Sequence, residues 1–295
     1  MTRFHTESSI SPLMKRLVAT ITVIGRDKTG VIARVTSYLF EQKANIEALE
    51  EQVTRGQFSM VLQASWATGD FNIDRLRAGL NRLAKSLDME ITCRPQEPHR
   101  RQRMAVMVTR ESHCFEALIS RARSRQLKAD PALILANRRD LEPIARRRGI
   151  PFVCLNWEDR ERAEREALRV LEAHQIDFIV LARFMKILSP NFVWRYKNKI
   201  INIHPSLLPS FPGAQAYRQA WEQGVKIIGV TAHFVTMRLD EGPIIAQGSF
   251  NVRSNMRLID IIKAGRKLEA QVLVRAVNLF LTKRLDVQWG VVKEV

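Results

Sequence analysis

The chain has 295 residues, 46% of them hydrophobic and 26% charged, and carries a formal net charge of +17 at pH 7. This length suits two domains with their own cores, and no apolar run is long enough to span a bilayer. Three widely spaced cysteines (Cys93, Cys114 and Cys154) form no Cys-x-x-Cys pair and the six histidines show no ligand spacing, so neither a disulfide framework nor a metal is expected.

Residues 1–14 are polar and read as disordered, without the apolar region of a signal segment, which makes a cytoplasmic location the expectation. From residue 17 the pattern turns regular. Residues 17–24 read as a strand, 26–30 as a turn, and 31–43 as a helix with Val31, Ile32, Val35, Leu39 and Phe40 on its apolar face. Strands follow at 45–51 and 58–64, then an amphipathic helix at 73–87 and a strand at 89–93. The order βαββαβ is the split ferredoxin-like pattern, placed here at residues 15–94. Residues 95–103 hold two prolines and read as a linker.

Residues 104–295 read as a second domain. Strands at 104–109, 132–136, 152–155 and 178–182 alternate with helices at 114–124, 141–148 and 159–174. Such alternation implies a parallel, Rossmann-like sheet. Segments 199–202, 227–235 and 244–250 extend it, 256–281 reads mainly as helix, and 286–292 as one closing strand.

The chemistry concentrates near the end of one of these strands. Asn202 and His204 are two apart, so an extended backbone turns both to one face. With Asp240 they supply an amide donor, an imidazole and a carboxylate, the set that polarises a carbonyl and manages a proton in acyl transfer. Strand ends are also where open α/β sheets place their chemistry.

These residues sit in four ordered motifs: 184–190 (Phe-Met-Lys-Ile-Leu-Ser-Pro), 202–209 (Asn-Ile-His-Pro-Ser-Leu-Leu-Pro), 231–235 (Thr-Ala-His-Phe-Val) and 240–245 (Asp-Glu-Gly-Pro-Ile-Ile). Together they resemble the formyltetrahydrofolate-dependent formyltransferase fold. The resemblance implies an Asn-x-His pair and a distant Asp, here Asn202, His204 and Asp240, around the formyl group of 10-formyltetrahydrofolate. It implies a pterin lying near Met185, Lys186, Ile187 and Leu188 and near Val235 and Leu239. It implies no cofactor beyond the folate, which is the substrate. His233 reads either as a support for the Asp240 loop or as a structural strand histidine.

The front half resembles an ACT domain through Asp27-Lys28-Thr29-Gly30-Val31-Ile32-Ala33 and Asn45-Ile46. Amino-acid binding and assembly into homo-oligomers are what that resemblance implies, with Asp27, Gly30, Asn45 and Ile46 as the ligand residues. Gly30 is expected where a side chain would crowd a ligand or a neighbouring strand. The plainer reading is a turn and helix start.

Two features bear on the acceptor. A phosphorylated acceptor needs a glycine-rich cradle after the first strand, yet the turn from Thr109 to Cys114 has no glycine and carries Glu111. Arg183 stands where the transferases usually have glycine, and a long cation there would occupy acceptor space. Both features, and the ACT-like half, resemble the formyltetrahydrofolate deformylase family over residues 17–292. That implies hydrolysis to formate and tetrahydrofolate, feeding purine synthesis and balancing folate pools. Two departures stand against it: Pro205 follows the catalytic His, where deformylases usually have a second His, and Met237-Arg238 replace acidic residues before Asp240. Transfer to an amine, or a sensor with weakened turnover, are the alternatives.

The positive charge gathers at 100–103, 121–125, 138–139 and 146–148. These clusters do not alternate with aromatics as in a stacking platform, so no dedicated nucleic-acid partner is expected. Solvated helix surface is the first reading, and attraction of a folate with its glutamate tail the second.

Overall fold

The computed structural model describes residues 17–67, 71–96, 100–213, 215–282, 285–288 and 290–294. The chain divides into two compact units between Pro98 and His99. The expected disorder of residues 1–14 lies outside the described residues.

The N-terminal unit runs β1 (Leu17–Arg26), α1 (Val31–Glu41), β2 (Asn45–Thr54), β3 (Gln57–Trp66), α2 (Ile73–Leu87) and β4 (Met89–Pro95). Its four strands are ordered β2-β3-β1-β4, all antiparallel. One face of the sheet, with Ala19, Ile21 and Val23, packs on Val31, Val35 and Leu39 of α1 and on Leu76 and Leu80 of α2. Each such valine, leucine or isoleucine contributes about 1.5–3 kcal/mol when fully buried. The apolar stripe of α1 follows a strict i, i+4 row, and Ile32 and Phe40 stand one position round from it. They are therefore exposed (Phe40 to 81%) rather than core residues as the spacing suggested. Asn72 caps α2 by accepting from Arg75 N at 2.9 Å. The expected linker is shorter than read: Pro95 closes β4, and β5 (Gln102–Val108) opens before Arg103.

The C-terminal unit continues α3 (His113–Arg123), β6 (Ala129–Ala136), α4 (Glu142–Arg147), β7 (Phe152–Cys154), α5 (Arg160–Ala173), β8 (Phe178–Ala182), α6 (Pro190–Arg195) and β9 (Ile200–His204). Then come α7 (Ala216–Glu222), β10 (Ile227–Phe234), β11 (Ile244–Asn251), α8 (Leu258–Leu281), β12 (Leu285–Gln288) and β13 (Val291–Glu294). Seven strands form one sheet in the order β11-β10-β9-β8-β5-β6-β7. Strands β9 to β7 are parallel, whereas β10 and β11 each run antiparallel to their neighbours. Side chains alternate between two cores. Met104, Val106 and Val108 join the layer with α3 and α8, while Ala105 and Met107 join the layer with α5 and α6.

Helices α6 and α7, of six and seven residues, are too short to show a helical period in the sequence, and α6 is marked only by its start, Ser189 as cap with Pro190 after it. The single closing strand is instead a hairpin, β12 and β13 paired antiparallel, with Gly290 at φ 79 between them. No described helix is long and apolar enough to cross a membrane.

Candidate active site

In the sheet order, the chain runs from β5 outward to β6 and β7 and then returns to β8 on the other side of β5, so the strand order reverses between β5 and β8. A crevice opens outside the strand ends at such a switch point. Here it is a cavity of about 300 Å³. Asn202, His204 and Asp240 line it together, as do Arg183, Met185, Lys186, Ile187, Leu188, Val235 and Leu239. The catalytic and substrate-binding residues singled out for this domain thus all share one pocket. Met185 N donates to Thr109 Oγ1 at 3.0 Å, which ties the 183–188 segment to the end of β5.

Strand β9 carries Asn202 and His204 on one face, and the antiparallel register of β10 sets His233 opposite Asn202. Asn202 Nδ2 lies 3.2 Å from His233 Nε2, and His233 Nδ1 lies 2.9 Å from the Phe234 carbonyl. The carbonyl can only accept, so the ring proton sits on Nδ1 and Nε2 accepts from the Asn202 amide. Burial lowers the His233 pKa, the positive field of His204 works the same way, and the two together outweigh the Phe234 bond and the Asp240 charge. His233 is therefore neutral, and it fixes which end of the Asn202 amide faces it. The sequence singles out this histidine, but its distance along the chain from Asn202 gives no sign of the pairing.

His204 has acceptors at both nitrogens. Nε2 is 2.9 Å from the Phe211 carbonyl and Nδ1 is 3.4 Å from Asp240 Oδ2. A doubly protonated imidazolium satisfies both. Asp240 stands at φ 55 in the loop after β10, with its side chain only 7% exposed. Its Oδ2 also accepts from Gly213 N at 3.0 Å, and its Oδ1 is 3.8 Å from His233 Nε2. The loop can close this tightly because Gly242 lacks a side chain: a Cβ there would lie 1.6 Å from the Phe234 oxygen. One segment after β9 thus serves both charged groups, Phe211 holding His204 and Gly213 holding Asp240.

Beside this pocket lies a second cavity, which shares Arg183, Met185, Pro205 and Gly213 with it. Its wall is a charged cluster around Glu269 of α8, which is 1% exposed. Tyr217 donates to Glu269 Oε1 at 2.7 Å, His113 Nε2 lies 3.0 Å from Oε2, and Arg183 Nε is 3.5 Å from Oε2. Glu111 pairs with Arg183 Nη2 at 3.4 Å and with Arg266 Nε at 3.3 Å. Burial by itself would raise the Glu269 carboxyl, but the His113 bond, the Arg183 charge and the Tyr217 bond hold it below the ordinary range. Burial and Glu269 push the Tyr217 hydroxyl and the Cys114 thiol up, so both stay protonated. Ligand atoms of His113, Cys114 and Glu269 lie within 4.8 Å of one another. Arg183 already supplies that cluster with a cation.

The sequence singles out Arg183 and the turn that holds Glu111 and His113, but not Glu269 or Tyr217. The available signal is a carboxylate on the apolar row Gly265, Glu269, Val272 and Ala276 of α8. The ACT-like ligand set does not come together within one chain. Asp27 and Gly30 follow β1 at the end where Arg26 pairs with Gln57, and Asn45 lies at the other end, level with Ser65 and Val18. Some eight residues of strand, on the order of 27 Å, separate them. Nor would a side chain at Gly30 crowd anything, since a Cβ there would meet nothing within 4 Å; its φ of 85 is what requires glycine.

The fold and pocket define a class first. Residues 102–277 match the family model described as Formyl transferase, and residues 18–94 match the ACT domain model. The formyltetrahydrofolate deformylase of Synechocystis sp. is 37% identical over 278 residues, 92% of this chain and 96% of that protein. The protein of the same name from Escherichia coli K12 is 39% identical over 265 residues, 88% of this chain and 92% of that protein. The crystal structure of a formyltetrahydrofolate deformylase from Pseudomonas syringae superposes with a TM-score of 0.65 at 31% identity, covering 96% of this chain and 95% of that one. Glycinamide ribonucleotide transformylase 1 from Symbiobacterium toebii reaches 0.63 at 31% identity, over 66% of this chain and 94% of that one. The chain belongs to the formyltetrahydrofolate deformylase family.

Proposed function

We propose that this chain hydrolyses 10-formyltetrahydrofolate to formate and tetrahydrofolate, with the folate as substrate and no cofactor or metal required. The family it belongs to supports the activity. The observation that carries the chemistry is the meeting of Asn202, His204 and Asp240 at one strand end beside a charged wall.

The pterin lies along 185–188 and the loop from Val235 to Asp240. His233 takes one Asn202 amide hydrogen, and the other meets the formyl oxygen as it gains negative charge. The imidazolium of His204 adds its field. Asp240 holds that ring and orients the attacking water, with the proton managed jointly by the carboxylate and the histidines. Arg183, locked by Glu269 and Glu111, fills the side from which a phosphorylated amine would approach. Water is then the acceptor held in reach.

The formate supplies purine synthesis and balances one-carbon folate pools. An amino-acid effector at the ACT-like unit, a homo-oligomeric state and a cytoplasmic location belong to the same reading and stand on family resemblance. Because Asp27 and Gly30 lie apart from Asn45 and Ile46 within one chain, an effector site using all four needs more than one copy.

The test is formate release from 10-formyltetrahydrofolate without any amine, repeated with glycinamide ribonucleotide. We expect formate equal to the tetrahydrofolate formed, at the same rate in both. Formyl label on the amine, or no formate in its absence, would favour the transferase reading.

A further inference from the structure

Three of the four arginine clusters, far apart in sequence, converge on one cavity of the C-terminal unit. It measures about 530 Å³ and is lined by Arg100, Arg101, Arg103, Arg123, Arg125 and Arg148. Asp130 is the one carboxylate among the described lining residues. The cavity sits where β5 and β6 begin, at Gln102 and Ala129, whereas the catalytic pocket lies beyond the ends of β8 and β9. The substrate's own site therefore does not explain it.

The guanidinium groups are partly held in place. Asp177 accepts from Arg100 Nη2 at 2.8 Å and from Arg103 N at 2.7 Å. Arg103 reaches Asp130 at 3.2 Å and the His174 carbonyl at 2.8 Å, and Arg123 Nη1 donates to the Arg148 carbonyl at 3.4 Å. Helix C-termini favour cations, which accounts for Arg123 on α3 and Arg148 after α4. It does not account for Arg100, Arg101 and Arg103 at the head of a strand.

Six guanidiniums around one concavity repel one another, and a multiply charged anion relieves that repulsion. Planar guanidinium forks match pairs of phosphate oxygens. The volume falls in the range of small-molecule sites, roughly 300–1,000 Å³. We propose that this cavity binds a small polyanion of two or three linked phosphoryl groups, free or carried by a nucleoside.

The test is calorimetric titration of the full-length protein with tripolyphosphate, with ATP and with a short DNA duplex, at low and raised salt. The cavity variant is Arg123→Gln/Arg125→Gln/Arg148→Gln, and Arg138→Gln/Arg139→Gln is the control from the cluster outside the cavity. We expect saturable tripolyphosphate binding that weakens with salt. The cavity variant should lose about tenfold or more in affinity while the control stays within about twofold. Both should keep basal turnover and an unchanged melting profile. Tighter binding of ATP identifies a nucleotide as the source, and equal binding identifies the phosphate chain. No saturable binding of either anion, equal losses in both variants, or duplex DNA preferred over both anions would overturn the proposal.

Discussion

The catalytic pocket and the Glu269 cluster are neighbours built from the same kinds of group, and they use them oppositely. In the pocket, Asn202 keeps one amide hydrogen and Asp240 part of its carboxylate for the cavity that they line with His204. In the cluster, Glu269 has Tyr217, His113 and Arg183 on its two oxygens. With these three partners and 1% exposure, Glu269 is turned to its neighbours rather than to a substrate. Its value is to hold Arg183 in place.

The largest effect expected on the open side comes from Asp240→Asn. It keeps the shape and the Gly213 contact but removes the charge that holds His204. Turnover should fall by about two to four orders of magnitude, the range for a positioned acid–base group, with folate affinity within a few-fold. Steady-state kinetics paired with direct folate binding checks this. Collapse of binding with turnover intact would make Asp240 a binding residue.

On the closed side, Glu269→Gln leaves the buried Arg183 with only the partly exposed Glu111 as counter-charge. Removing one partner of a buried ion pair costs about 3–5 kcal/mol. Because the folded Glu269 pKa is depressed, the carboxylate stabilises the fold above its ordinary range, and this is lost as pH falls through the folded value. The stability gap between wild type and variant, read by denaturant unfolding, should narrow as pH falls below the carboxylate range. A gap constant with pH would mean that Glu269 does not act through its charge.

Asn202→Ala should lower turnover by about two to three orders of magnitude, the scale for one oxyanion donor. Near-normal turnover in a folded variant would remove Asn202 from the mechanism.

The open side is the more legible in the sequence, for a physical reason. Asn202 and His204 share a face because strands have a period of two, which local spacing reveals, and the motif around Asp240 resembles a known family. The closed side is assembled from a turn, the short helix α7 and the long helix α8, and no local period links Glu111, Tyr217 and Glu269. The same limit explains the N-terminal unit. Its βαββαβ order is readable, but register alone decides that Asp27 and Asn45 lie at opposite sheet ends. Strand direction is hidden too: β10 and β11 read as further members of a parallel sheet, and their apolar pattern does not encode that they run antiparallel.

His233 joins what is legible to what is not, and it gives the smallest effect and the sharpest one. It touches Asn202 only because β10 runs antiparallel to β9 in that register. Its neutral ring accepts from the Asn202 amide, a bond of about 0.5–1.5 kcal/mol, so His233→Ala should slow turnover by up to about tenfold. The pH profile separates this role from simple packing. Burial keeps the folded His233 pKa below its ordinary value, so the ring stays neutral as pH falls past the range where an exposed histidine charges. When it does take a proton, Nε2 becomes a donor, and the Asn202 amide must turn its oxygen inward and its donor away from the formyl group. Wild type should therefore show an acidic fall in kcat that the alanine variant lacks. The fold follows the same sign: an unfolded histidine takes a proton that the native one refuses, so stability also declines below the ordinary histidine range. An acidic limb that survives unchanged in His233→Ala would assign it to another group and leave His233 as a packing residue.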